Sequence, residues 1–337
     1  MNAYKSDTLK ERTAKMKKLL IPVLLIMALA LAACGTNAGN GNPSGGQANE
    51  GSGGAANGSA GGGAASGVIV VYESENGPVE VPADPQRVIV LSSFAGNVMQ
   101  LGVNLVGVDS WSKMNPRFDD KLKDVAEVSD ESLETIIELE PDLIIGLSSI
   151  KNVDKLKDIA PTVTFTYGKV DYLTQHIEIG KLLNKEQEAR AWVDDFKQRA
   201  QQAGEDIKAK LGEDMTISVI ESWDKQLYVY GDNWGRGTEI LYQEMKLGMP
   251  QAVKDSALKA GWHALSLEML PDFAGDYMVI SKLNGGDNSF QETDTYKNIP
   301  AVQNGRVIEV NGNEFYFNDP LTLELQLETF KQALLGE

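Results

Sequence analysis

The sequence predicts an α/β protein of two Rossmann-like lobes joined by one long helix. Strand-like and helix-like segments alternate in both halves of the chain, one uninterrupted helical stripe lies between them, and a short acidic pattern occurs once in each half. The stripe spans 185–210, where Ala189, Val193, Phe196, Ala200, Ala203 and Ile207 recur at alternating steps of four and three. Asn184 offers an N-cap oxygen, and Glu186, Gln187 and Glu188 occupy the first turn. At 1.5 Å per residue this helix is roughly 40 Å long, enough to act as a strut between lobes.

Taken in order, residues 1–33 read as an export signal. Lys5, Lys10, Arg12, Lys15, Lys17 and Lys18 precede an apolar run too short for the about 20 residues a spanning helix needs. Met16-Lys17-Lys18 would also open a compact signal, so Met1 and Met16 are both candidate starts. Leu31-Ala32-Ala33-Cys34-Gly35 resembles the bacterial lipobox, whose cysteine carries lipid and becomes the mature N-terminus. With the one cysteine of the chain so assigned, no disulfide is possible and stability must come from apolar cores. The formal net charge is −17, and loss of the basic leader leaves the chain more acidic still. That argues against nucleic acid and anionic lipid surfaces as partners.

Residues 34–67 hold Cys34 and a Gly, Ala, Ser and Asn tether with too little apolar surface to fold. As a flexible coil it would span roughly 30 Å.

The first lobe, 68–184, opens with a 68–72 strand and an Asn76-Gly77 hairpin turn into 79–81. Strands follow at 87–91, 105–108, 143–145 and 162–166, with helices at 94–101, 133–139 and 153–159, a pattern that implies a mostly parallel sheet. In the second lobe, 211–337, strands at 216–220, 227–230, 277–280 and 306–310 alternate with helices at 238–246 and 321–335. The two lobes are expected to be built alike.

Ser132-Leu133-Glu134 precedes Asp142-Leu143-Ile144-Ile145, and Ser266-Leu267-Glu268 precedes Asp276-Tyr277-Met278-Val279-Ile280. Each Ser can cap a helix and place its Glu in the first turn, where the helix dipole favours a carboxylate. The functional reading is that two lobes present matching acidic knobs to a symmetric partner.

A lipobox, a Gly-rich tether, two α/β lobes on one strut and this Glu pair resemble the substrate-binding lipoproteins of iron-siderophore ATP-binding-cassette importers. The resemblance covers about 78–335 and implies a class III periplasmic-binding-protein fold. It also implies that Glu134 and Glu268 pair with arginines of the two subunits of a heterodimeric or homodimeric permease. Pro271 departs from the pattern, because it is tolerated behind Glu268 only if the helix there starts late.

The stretch 227–238, with Tyr228, Trp234 and Arg236 among Gly231, Gly235 and Gly237, carries most of the ligand chemistry. The glycines suggest close backbone approach to something. Trp-Gly-Arg-Gly after Leu-Tyr-x-Tyr-Gly-Asp-Asn is similar to the ligand loop of hydroxamate-siderophore binders, where Arg donates to hydroxamate oxygens and aromatics pack on the chelate. The planar fork of Arg236 suits two adjacent oxygens. The same resemblance brings Tyr167 from the first lobe and Tyr316 from the second, and Trp111 follows a strand at the sheet end where α/β folds bind ligands. A tris-catecholate complex is strongly anionic and calls for several cations, whereas a tris-hydroxamate complex is near neutral. Arg236 is the only basic residue of the loop, which favours hydroxamates; citrate-hydroxamates would recruit Lys113 or Arg117. The siderophore fills the iron coordination sphere, so no protein metal ligand or cofactor is expected.

The rivals are haem or corrinoid capture on the same architecture, with Tyr167, Tyr228 or Tyr316 as an axial ligand, a catecholate or citrate siderophore, and a hydrolase. A metal-ion binder would need clustered ligands, and the two histidines, His176 and His263, both have bland readings. No Gly-x-Ser-x-Gly elbow or phosphate loop is present, so the expectation is a binding protein and not an enzyme. It is expected to be monomeric and lipid-anchored on the outer face of a Gram-positive cell membrane.

Overall fold

The computed structural model describes residues 67–336. The export signal, Cys34 and the tether up to residue 66 lie outside the described residues. A hairpin of β1 (Ile69–Ser74) and β2 (Gly77–Pro82) comes first. Its register pairs Ser74 with Gly77, so the turn is Glu75-Asn76, one residue before the expected Asn76-Gly77.

The first sheet contains β3 (Val88–Val90), β4 (Leu105–Val108), β5 (Ala126–Glu127), β6 (Leu143–Leu147) and β7 (Thr162–Phe165). Their order is β5-β4-β3-β6-β7 and every pair is parallel. Val88, Ile89 and Val90 are all buried, as befits the centre of a sheet covered on both faces.

The second sheet contains β8 (Ile217–Trp223), β9 (Gln226–Tyr230), β10 (Trp262–Leu265), β11 (Tyr277–Lys282) and β12 (Val307–Asn311), ordered β10-β9-β8-β11-β12. Here the expectation of two like lobes needs correction. β8, β11 and β12 run parallel, but β9 is antiparallel to both β8 and β10. Asp224 and Lys225, both at positive φ, turn β8 straight back into β9. This is the backbone of a tight hairpin, made without the usual glycine.

The strut runs Glu186–Leu211 and buries every residue of the predicted stripe, together with Gly204. Ala189 packs into the core of the first lobe, while Val193, Phe196, Ala200, Ala203 and Ile207 belong to that of the second. Burying Phe196 alone stabilises the join by about 2–3 kcal/mol. Asn184 does not cap the strut. It sits at φ +56, ending the preceding helix Tyr172–Leu182, and the N-cap position falls to Lys185 with no side-chain bond.

The closing helix Pro320–Leu335, capped by Asp319, makes a second join. Phe317, just before it, is buried in the first core, whereas Leu323, Leu327, Phe330 and Leu334 pack into the second. Arg199 and Trp192 of the strut both donate to Glu324 of this helix.

The expected 238–246 helix is a wide turn, Glu239–Glu244, in which Met245 N donates to Ile240 O at 2.8 Å. It lies hard against the strut: a Cβ on Gly204 would stand 2.1 Å from Met245 O. Such local widening of a helix is common beside functional sites.

Candidate ligand cleft

Strand ends place the cleft residues. Trp111 follows β4, Tyr167 follows β7, Tyr316 follows β12, and Trp223 is the last residue of β8. All four leave the carboxyl ends of strands in the parallel parts of the sheets, where open α/β sheets bind ligands.

The rings form a column. Trp111 stacks on Trp223 with centroids 6.2 Å apart and on Tyr316 at 5.0 Å, so a first-lobe indole lies between two second-lobe rings. The Arg236 guanidinium then lies 4.4 Å from Tyr316 and 4.4 Å from Tyr230, one ring on each side. Tyr167 meets Trp234 edge-on at 6.4 Å across the same cleft. Trp111, Tyr167, Trp223 and Trp234 remain 37–51% exposed, which leaves ring area for a ligand. Tyr228 does not join the column. It packs edge-on against Trp262 of β10, and Tyr230, two residues on, takes the place beside Arg236.

Arg236 is held more tightly than the sequence suggests. Its side chain is 6% exposed, and Nε and Nη2 both donate to Glu221 Oε1, at 3.0 and 2.8 Å. Nη1 donates to Trp234 O at 3.0 Å. A guanidinium has five N–H donors, so one on each terminal nitrogen stays uncommitted among the described residues. Three of the five donors are therefore used by the protein itself. Burial is the largest influence on the Arg236 pKa and would lower it, but the charge and hydrogen bonds of Glu221 together with Tyr230 and Tyr316 outweigh it, and the pKa is raised. Glu221 also accepts from Tyr230 Oη and Ser281 Oγ.

The glycines approach protein. Gly235 and Gly237 have φ +70 and +87, and Arg236 between them has φ +58. A Cβ on Gly235 would lie 2.3 Å from Tyr316 O, and one on Gly237 would lie 2.6 Å from the Phe330 ring. The close approach read from the sequence is thus to the 315–317 segment and the closing helix.

Glu239 locks this loop. Its Oε1 accepts from Gly235 N and Asn318 Nδ2, both at 2.9 Å. Thr238 Oγ1 accepts from Trp234 N, lies 2.8 Å from Gly235 O and lies 3.0 Å from Glu239 Oε2. A hydroxyl has one hydrogen, and with it on Gly235 O the contact to Glu239 closes only if the acid is protonated. Burial, opposed by the bonds from Gly235 and Asn318, raises the Glu239 pKa. A raised carboxyl stabilises the fold fully below the ordinary glutamate range, and that contribution is lost as pH rises through the raised value. Glu239→Gln reproduces the neutral acid, with its amide N–H on Thr238, and should flatten the decline in urea midpoint that sets in as pH rises above the ordinary glutamate range. An unchanged slope would remove the neutral-acid reading.

The remaining predicted residues divide. Lys113 Nζ is tied to Leu122 O, and Arg117 is exposed. His176 is buried, bonded to Asn97 through Nδ1, while His263 stacks on Phe273 at 5.7 Å. Among the described residues no group of three or more His, Cys, Asp or Glu could hold a metal ion. Glu134 stands exposed in the first turn of Leu133–Glu138. Glu268 stands exposed on a short turn, Leu267–Met269, ahead of Leu270–Phe273, which starts late enough to take Pro271 near its beginning. Neither Ser132 nor Ser266 makes the expected side-chain cap.

Sequence reasoning missed Trp223, Tyr230, Glu221 and Glu239. Glu221 had a signal: a carboxylate directly after the apolar strand residues Val219 and Ile220 demands a buried partner.

The profile of the family described as "Periplasmic binding protein" matches residues 89–313. The iron(3+)-hydroxamate-binding protein FhuD of Bacillus subtilis (strain 168) is 37% identical over 270 residues, covering 78% of this chain and 85% of that protein. Among solved structures, the FhuD protein from S. pseudintermedius has a TM-score of 0.72 at 36% identity, over 80% of this chain and 99% of that one. FhuD2 from Staphylococcus aureus with bound ferrioxamine B has a TM-score of 0.71 at 35% identity, over 75% of this chain and 99% of that one. The profile spans both sheets and the strut between them, and the chain belongs to the periplasmic binding protein family.

Proposed function

We propose that the protein captures a ferric hydroxamate siderophore in the cleft between its lobes and delivers it to an ATP-binding-cassette permease for iron uptake. It acts by binding and carries out no chemistry on its ligand. The observation that carries this reading is the aromatic column closed by Arg236. The charge of Arg236 is matched by Glu221, so the site is apolar-faced, nearly neutral and still holds two N–H donors. That suits a near-neutral tris-hydroxamate complex, whereas a tris-catecholate would bring several negative charges to a site whose buried cation is already paired. Similarity to iron-hydroxamate-binding proteins points the same way. Iron enters and leaves inside its chelator, so it is cargo and the protein supplies neither a metal ligand nor a cofactor.

On this reading Trp111, Tyr167, Trp234, Arg236 and Tyr316 contact the chelate, joined by Trp223, with Tyr228 behind them. Lipid on Cys34 anchors a monomer to the outer face of the membrane through the 34–67 tether. Two joins between the cores, the strut and the closing helix, favour modest lobe movement.

Tryptophan fluorescence titrated with ferrichrome, ferrioxamine, a ferric catecholate, haem and ferric citrate tests the proposal. Saturable quenching by a hydroxamate and not by the catecholate is expected; saturation by haem or the catecholate alone would overturn the ligand class. Arg236→Lys keeps a charge for Glu221 but loses the planar fork, and should weaken every hydroxamate complex by about tenfold or more.

A further inference from the structure

Beside Tyr167 the cleft continues into a cavity of about 260 Å³, with Phe94, Asn97 and Gln175 of the first lobe on one side and Asn233, Glu239 and Gln243 of the second on the other. At about 30 Å³ per molecule it has room for about eight waters. Its wall is unusual in chemistry. Asn97, Gln175, Asn233, Gln243 and Asn318 are all carboxamides, while Lys169 lies 3.4 Å from Glu75 and Asp171 caps the Tyr172–Leu182 helix.

The amides are unevenly satisfied. Asn97 Nδ2 is bonded to His176, and Gln243 Nε2 donates to Asp232 O, which leaves the amide oxygens of both residues as acceptors. Gln175 Nε2 is the reverse case: it is buried and has no hydrogen-bond partner among the described residues. An orphaned buried donor costs about 1–3 kcal/mol, which a ligand carbonyl would recover. A wall that sets a buried, wholly unpartnered donor beside free amide oxygens matches a group that carries both C=O and N–H. A secondary amide is such a group; an ammonium would leave Gln175 unpaired.

We propose that this cavity is a subsite for a neutral amide-bearing linker or arm of the siderophore, with Gln175 donating to its carbonyl. The proposal rests on the siderophore reading and narrows it, selecting tris-hydroxamates whose backbone contains amides over those that present iron-binding groups alone.

Two neutral ferric chelates with the same six hydroxamate oxygens separate these cases: ferrioxamine E, a ring with three linker amides, and ferric tris(acetohydroxamate), which has none. Their affinities are measured on the full chain by calorimetry. Gln175→Leu should weaken ferrioxamine E by about five- to tenfold, the equivalent of one lost hydrogen bond, and leave the acetohydroxamate complex unchanged. Gln175→Glu keeps size and polarity but exchanges the donor for an acceptor, and should show the same selective loss. An undiminished ferrioxamine E affinity in both variants, or an equal loss for both chelates, overturns the subsite while leaving the function intact. Failure of the unsubstituted protein to bind either chelate overturns the function and the subsite together.

Discussion

Glu221→Ala should destabilise the protein by about 3–5 kcal/mol, the cost of stranding a buried charge without its partner. Glu221 is fully buried and accepts four hydrogen bonds, from Arg236 Nε and Nη2, Tyr230 Oη and Ser281 Oγ. Removing the carboxylate orphans all of these donors and leaves Arg236, itself almost wholly buried, to bear its charge alone. The comparison that isolates the pair is Glu221→Leu with Arg236→Met. Exchanging both partners for apolar groups removes the desolvation penalty along with the attraction, so the double variant should be more stable than Glu221→Ala, though unable to hold a chelate. Urea denaturation reads both. A loss below about 1 kcal/mol in Glu221→Ala would mean that solvent reaches the pair and that Arg236 is a surface charge.

That ion pair also shows where the sequence is legible and where it is silent. The strut could be read residue by residue, because a helix with one face in two cores must repeat its apolar residues at helical spacing. Asn184 was misleading because its small polar side chain suits two opposite roles, an N-cap oxygen and a left-handed residue closing the previous helix; only the backbone at φ +56 decides. The β8–β9 hairpin was hidden because Asp224-Lys225 lacks the glycine that normally marks such a turn, and with it went the antiparallel edge and Trp223. In the cleft, Trp111 was suggested by its position after a strand, Trp234 and Arg236 by their glycine-rich loop, and Tyr167 and Tyr316 by resemblance alone. Their pairings were not legible. Which of Tyr228 and Tyr230 faces Arg236 depends on strand register, and the short contact between Glu239 and Thr238 depends on distances that no spacing encodes.

Reversing Glu134 and Glu268 together to arginine should lower siderophore uptake about a hundredfold or more while changing siderophore affinity by less than about twofold; several kcal/mol of like-charge repulsion at a docking face is enough. The two positions are equivalent in the fold. Each precedes a strand, β6 or β11, that pairs in parallel with the central strand of its lobe, β3 or β8. In each, the aspartate just before that strand ties down the approach to the central strand: Asp142 accepts from the backbone N of Gln86 and Arg87, and Asp276 accepts from Thr216 N and Oγ1. The shared Ser-Leu-Glu and Asp pattern is thus half structural, in the aspartates, and half free, in the glutamates. Both glutamates are exposed, and neither enters an ion pair among the described residues. The Glu268 carboxyl is lowered by its own backbone N–H and then by Ser266, so it is charged at neutral pH. Two free carboxylates at matching places on two lobes are what a permease with a matching pair of cations would read, and each single reversal should give a partial loss. Wild-type uptake by the double variant would sink the docking role, and a parallel fall in siderophore affinity would assign the glutamates to the fold instead.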